Sequence, residues 1–203
     1  MNIAQKTEEE QSAFFEQMLA AAHGAEKAAG SERVSLDVAG CRIDLVFAGR
    51  RLLDEFLPAL SHNIVDGDAA EATVVHVWDS QSTGVKPPRT PCSPAYFTDR
   101  GDIWGFNSPR FRTAFHYSEY AVNVLDLETK TAVFWIDAAE SLPFWTKASP
   151  LRTILHWILQ SDGAQILHAA AVGEEDGAVL ITGKGGVGKS TTALTALAHG
   201  LKY

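Results

Sequence analysis

Apolar residues recur at helical spacing near both ends of the chain and alternate with polar ones through its middle. Thr7-Glu8-Glu9-Glu10 is a capping-box sequence, and Phe14, Phe15, Met18, Leu19 and Ala22 then share one helical face. This predicts a first helix that ends in the Ala/Gly-rich stretch at 20–30, its apolar stripe serving packing. Val34, Leu36 and Val38 alternate, Ala39-Gly40 turns, and Cys41, Ile43, Leu45 and Phe47 alternate again, which predicts a hairpin. Cys41 therefore stands where a small hydrophobe belongs. A short helix is expected over 51–60 with Leu52, Leu53, Phe56 and Leu57 inward, and a strand over 72–78.

Residues 80–101 read as a long polar connection carrying Pro87, Pro88, Pro91 and Pro94. Beyond it Phe111, Thr113, Phe115 and Tyr117 alternate, and 121–127 and 131–136 read as further strands. The region 31–137 is β-rich and shows no clear parallel βαβ rhythm. Ser149-Pro150 reads as an N-cap with proline at the first helical position, followed by an amphipathic face of Leu151, Ile154, Leu155 and Ile158 and a stop at Gly163. Two strands follow, at 165–172 and 178–182, joined by the turn Glu174-Glu175-Asp176-Gly177 and hence antiparallel. The second is an apolar run suited to burial. A helix then covers 190–199, with Gly200 as its C-cap. The expected fold class is α/β: a β-rich α+β domain at 1–147 with a leading helix, then the opening segment of a nucleotide-binding domain at 148–203.

Composition changes this picture only by exclusion. No apolar run approaches the roughly 18 residues that cross a bilayer, and the acidic N-terminus lacks a secretory apolar segment. Cys41 and Cys92 show no CxxC spacing, so neither a disulfide framework nor a zinc site is expected, and a cytoplasmic location is the default. A net charge of −8 argues against a broad nucleic-acid surface.

The candidate chemistry lies at Gly183-Lys184-Gly185-Gly186-Val187-Gly188-Lys189-Ser190, which fits GxxxxGK[ST]. Glycines let consecutive N–H groups turn into one concavity that holds anions. Lys189 would reach the β- and γ-phosphates, the Ser190 hydroxyl would ligate Mg²⁺, and Thr191 follows in the first helical turn. Strand, glycine loop and helix in that order aim a helix N-terminus at a phosphate. ATP and Mg²⁺ are the ligands this motif implies.

From Ser149 to Tyr203, the histidine-bearing stretch Leu167-His168-Ala169-Ala170-Ala171-Val172, the acidic turn and AVLITGKGGVGKSTTALTALAHGLKY resemble the nucleotide-binding core of HPr kinase/phosphorylase and its serine-kinase relatives. The same core is shared more distantly by ATP-dependent phosphoenolpyruvate carboxykinase. The resemblance implies transfer of the ATP γ-phosphate to a serine of a protein or peptide, with His168 as a catalytic candidate. The family commonly has glycine after this histidine, where this chain has Ala169. Its catalytic carboxylates follow the loop's helix, where this chain has Leu201-Lys202-Tyr203, so the chain as it stands is expected to lack transfer activity. A homo-oligomer is compatible with this reading.

Other readings stay open. Lys184 through Ser190 also resembles the phosphate loop of MinD/ParA-type ATPases, in which a lysine at the position of Lys184 acts across a dimer. The aromatics Trp78, Trp104, Trp135, Phe106, Phe111, Phe115 and Tyr117 could instead line a peptide- or protein-binding module. Asp79 and Asp137, each ending an apolar run, have the look of metal-binding carboxylates. His23, His62, His76, His116, His156 and His199 show no metal-ligand spacing.

Overall fold

The computed structural model of the chain describes residues 5–67, 71–91, 101–103 and 105–202. Its first helix, α1 (Glu8–Ala29), starts at the expected capping box: the Thr7 hydroxyl accepts from the Glu10 N–H at 3.2 Å, and the Glu10 carboxylate accepts from the Thr7 N–H at 3.0 Å. Phe14, Phe15, Met18, Ala22 and Ala25 are buried along one face, and the helix ends at Gly30 with φ of 80°. β1 (Ser31–Val38) and β2 (Cys41–Ala48) form the expected hairpin, register Val38↔Cys41. Ala39 and Gly40, at φ of 53° and 85°, give it the left-handed two-residue turn that matches strand twist.

α2 (Arg51–Leu60) and β3 (Thr73–Asp79) follow where expected, and here the topology departs from the sequence reading. β3 lies parallel to β2, so β2, α2 and β3 are a βαβ crossover. The remaining strands are β4 (Phe111–His116), β5 (Ala121–Asp126) and β6 (Thr131–Ile136). β6 also pairs parallel with β3, while β4, β5 and β6 form an antiparallel meander. The resulting six-stranded mixed sheet has the order β1-β2-β3-β6-β5-β4. The parallel rhythm was hidden because strands buried on both faces read as near-continuous apolar runs rather than alternating ones, as TVVHVWD, interrupted by His76, and TAVFWI do.

Helices cover both faces. α1 buries Trp78, Phe111, Phe115, Val124, Val133 and Trp135 on one side. On the other, α2 and α5 (Arg152–Ser161) bury Phe47, Phe56, Val75, Val77, Phe134, Ile154 and Ile158. The aromatics offered as a binding surface are thus largely core. Trp78, Trp135, Phe106, Phe111 and Phe115 are buried, Tyr117 is exposed, and Trp104 lies outside the described residues. The connection at 80–101 begins with a short helix, α3 (Ser80–Thr83), and its residues 92–100, with Cys92 and Pro94, also lie outside them.

Ser149 does not cap a helix N-terminus. It closes a short upstream helix, α4 (Phe144–Ala148), and Leu151 takes φ of 55° before α5 begins. The chain divides into two compact units, 1–164 and 165–203, and α5 falls in the first with the sheet. No helix among the described residues is long and apolar enough to cross a membrane.

Among the described residues of the first unit, Asp44, Asp79 and Asp126 are buried, and arginines hold two of them. Arg110 grips Asp126 through Nε (3.0 Å) and Nη2 (2.8 Å), and Asp44 accepts from Arg33 Nη2 at 2.5 Å and Ser35 Oγ at 2.7 Å. Burial pushes both carboxyls up, but hydrogen bonds outweigh it: Arg110 and the Glu128 N–H on Asp126, Ser35 and Arg33 on Asp44. Both are held below the usual carboxylate range. A folded-state value below the unfolded one, about 3.9, means their stabilisation is present above that pH and lost as pH falls through the folded value. Urea unfolding from pH 5 down to pH 2 should therefore show stability falling with acid. Asp126→Asn should make that fall shallower, and an unchanged slope would show that Asp126 titrates alike in both states.

Candidate functional site

The second unit is built on a hairpin. β7 (Ala169–Glu174) pairs antiparallel with β8 (Gly177–Thr182), from Ala169↔Thr182 to Glu174↔Gly177. The first strand starts later than expected and His168 precedes it, exposed in a bend. Gly173 sits where the strands approach closely: an added Cβ would lie 2.2 Å from the Gly177 oxygen and 2.6 Å from the Ala178 Cα. On its other side Gly173 exchanges both backbone hydrogen bonds with Lys202, at 3.0 and 2.8 Å, so Lys202 forms an antiparallel bridge beside β7.

β8 leads through residues 183–188 into α6 (Lys189–Ala198). Gly186 and Gly188 take φ of 82° and 93°, angles that cost a side-chain-bearing residue strain. The Val187 N–H reaches back to the Lys184 carbonyl at 3.5 Å, and Thr192 makes the first bond of the helical ladder, to Gly188 at 2.9 Å. The N–H groups of Lys189, Ser190 and Thr191 precede that bond and have no intrahelical acceptor. Lys189 is buried, and its ammonium donates to the carbonyls of Gly183 (2.9 Å) and Lys184 (3.0 Å). A cation is thus anchored against the loop beside a helix N-terminus, which together favour an anion. Lys184, Gly185, Val187, Ser190 and Thr191 are exposed.

The hairpin register places the remaining candidates. Ala169 faces Thr182, so His168 stands at the loop end of the hairpin. Glu174, Glu175 and Asp176 stand at the turn end, about 17 Å away at the rise of a strand. Both upstream acids belong to the first unit. Asp79 is buried and caps α3, accepting from the Ser82 N–H at 2.8 Å and from the Ser82 hydroxyl. Asp137 is exposed, and its carbonyl accepts from Gln81.

The apolar run at 178–182 forms its strand but is not buried. Val179 and Leu180 are 66% and 52% exposed, and Leu194 and Leu197 on α6 are exposed as well. The unit's core is a small cluster of Ala170, Val172 and Ala193, with Ile181 and Ala196 against it.

In the first unit the thiol of Cys41 is held in its protonated form. It is buried and donates to Asp162 at 3.1 Å, and burial, with Asp162 adding to it, pushes it up to about 11. Three other side chains there come together: His23 and His76, whose spacing in the sequence suggests no metal site, and Glu26, which the sequence did not single out. The signal for His23 and Glu26 was their spacing of three along α1. Nothing local in the sequence ties His76 to them.

Comparison of the chain with protein-family models, with curated proteins and with solved structures finds no match in any of the three.

The Gly173 contact has a direct consequence. Gly173→Ala must push apart two backbones, and overpacking of this kind costs about 1–3 kcal/mol. Hydrogen exchange followed by mass spectrometry should show faster exchange across β7 and β8 in this variant. Unchanged protection would mean that the hairpin is looser at Gly173 than the geometry gives.

Proposed function

We propose that the second unit binds the phosphates of Mg·ATP through residues 183–191, as the nucleotide site of an HPr-kinase-like phosphotransferase acting on a serine of a protein or peptide. The observation that carries the binding reading is the position of Lys189. Its ammonium is already held by the loop's own carbonyls, beside N–H groups that lack an intrahelical acceptor. Gly183, Gly185, Gly186 and Gly188 give the loop its backbone freedom, and Lys189 faces the terminal phosphates. Ser190 is the residue that would ligate Mg²⁺, which when bound neutralises charge on the phosphates.

The class of enzyme rests on the resemblance, and two features of the unit agree with it. The strand pair before the loop is antiparallel, and His168 stands at the loop end of the hairpin. In this reading His168, at the loop end, would be the group that accepts a proton, since the hairpin's acids stand at the far turn. The rival reading, a MinD/ParA-type switch, draws on one observation: Lys184 is exposed on the loop, where a second copy could meet it.

Calorimetry with Mg·ATP tests the site. Lys189→Ala removes a charge-assisted contact worth about 1.5–3 kcal/mol, so the Kd should rise about 10–100-fold. An equal affinity in the variant would remove the assignment. Light scattering with and without ATP separates the two classes. The kinase-like reading expects no ATP-driven dimer, whereas dimerisation that disappears in Lys184→Ala would establish the switch.

A further inference from the structure

His76 lies on the face of β3 that α1 covers, between Val75 and Val77, which point into the opposite core. Its layer is otherwise apolar, with Trp78 next along the strand and Val133 and Trp135 on β6. A histidine buried to 9% exposure there needs a hydrogen-bond partner, and α1 supplies it. Glu26 Oε1 lies 2.6 Å from His76 Nδ1. His23, one turn earlier on the same helix face, brings its ring edge-on to the His76 ring, with centroids 4.9 Å apart and planes at 82°.

The Glu26–His76 contact alone satisfies the buried ring nitrogen. It gives no reason for a second imidazole at the same point. One ligand atom from each of the three residues lies within 4.8 Å of the others. The three stand on two rigid elements, a 22-residue helix and a central strand. Their burial is graded: His76 is buried, Glu26 is partly covered and His23 is exposed, which leaves one side open to solvent.

We propose that His23, Glu26 and His76 form a binding site for a divalent first-row transition metal of the zinc class. The donor set is two imidazole nitrogens and one carboxylate oxygen, and water takes the open position. Two nitrogens and one carboxylate suit zinc, cobalt or nickel. Mg²⁺ and Ca²⁺, which take six or more oxygens, are poorly served by it. On binding, the metal replaces the proton shared by Glu26 and His76. Ligands about 2.0–2.1 Å from a tetrahedral ion lie ~3.3 Å from each other, so this pair opens from its 2.6 Å contact while the His23 ring closes in. The site would pin α1 to the centre of the sheet.

The test uses the whole chain, stripped with chelator and free of nucleotide, titrated with Co²⁺ by absorbance and with Zn²⁺ by calorimetry. One ion should bind per chain, Zn²⁺ should displace Co²⁺, and Zn²⁺ should raise the thermal midpoint. His23→Ala changes an exposed residue and leaves the Glu26–His76 pair intact, so it should fold as wild type does. Its Kd for Zn²⁺ should rise by more than the about 10–100-fold that loss of an outer-shell partner costs, and its midpoint should no longer respond. Glu26→Gln should do the same. Absence of binding in wild type, or binding of equal strength in His23→Ala and Glu26→Gln, would overturn the proposal. The second result would mean adventitious binding elsewhere on the chain.

Discussion

Everything in the first unit follows from the pairing of β3 with β6. Two parallel strands at the centre of a sheet, each flanked by further strands, have no face that water can reach, so both sides must be covered. That requirement accounts for the two separate cores. The α1 side takes the aromatic load, Trp78 and Trp135 among it, and supplies partners for the indole nitrogens: Val85 O at 3.1 Å and Ser80 Oγ at 2.8 Å. The α2 and α5 side is aliphatic with Phe47, Phe56 and Phe134 stacked edge-on. Most buried polar groups in this arrangement are paired, as with Asp44, Asp126 and His76, while Asn123 Nδ2 on β5 is buried without a hydrogen-bond partner.

The sequence made local structure legible and long-range pairing much less so. The capping box of α1, the Ala39-Gly40 turn and the strands at 111–136 could be read because each signal sits within a few residues of its effect. The parallel crossover could not, since a doubly buried strand carries no alternation to reveal its partner or direction. Ser149-Pro150 misled for a related reason. The dipeptide fits an N-cap by itself, and only the upstream helix at 144–148 turns Ser149 into an end rather than a beginning. The candidate site shows the same divide. Residues 183–191 are contiguous, so the loop and its antiparallel lead-in could be read. His23 and Glu26 approach His76 only through the packing of α1 on the sheet, and no spacing rule reaches across those fifty residues.

The burial of β8 marks a sharper failure of pattern reading. A run such as Ala178-Val179-Leu180-Ile181-Thr182 is expected to be covered, yet Val179 and Leu180, which point to opposite faces of the hairpin, are both exposed. Composition sets what a strand would gain from burial. It does not supply the surface that buries it.

That contrast bears on how the loop can work. A two-stranded hairpin is marginal by itself in water, and here it is supported by one helix, a bridge at Lys202 and a core of small side chains. Lys189, by holding the carbonyls of Gly183 and Lys184, closes the loop on itself. Those two hydrogen bonds are also local, needing nothing beyond the loop. The loop is therefore held at short range, while the strands behind it are weakly secured. A bound phosphate would add contacts to the N–H groups at the start of α6 and so stabilise loop, helix and hairpin together. If the proposed site binds phosphate, part of the contact energy would go into ordering these elements, and the affinity would be what remains. Under the proposed nucleotide-binding reading, any surface that covers Val179 and Leu180 would remove some of that ordering cost and tighten binding without touching the nucleotide.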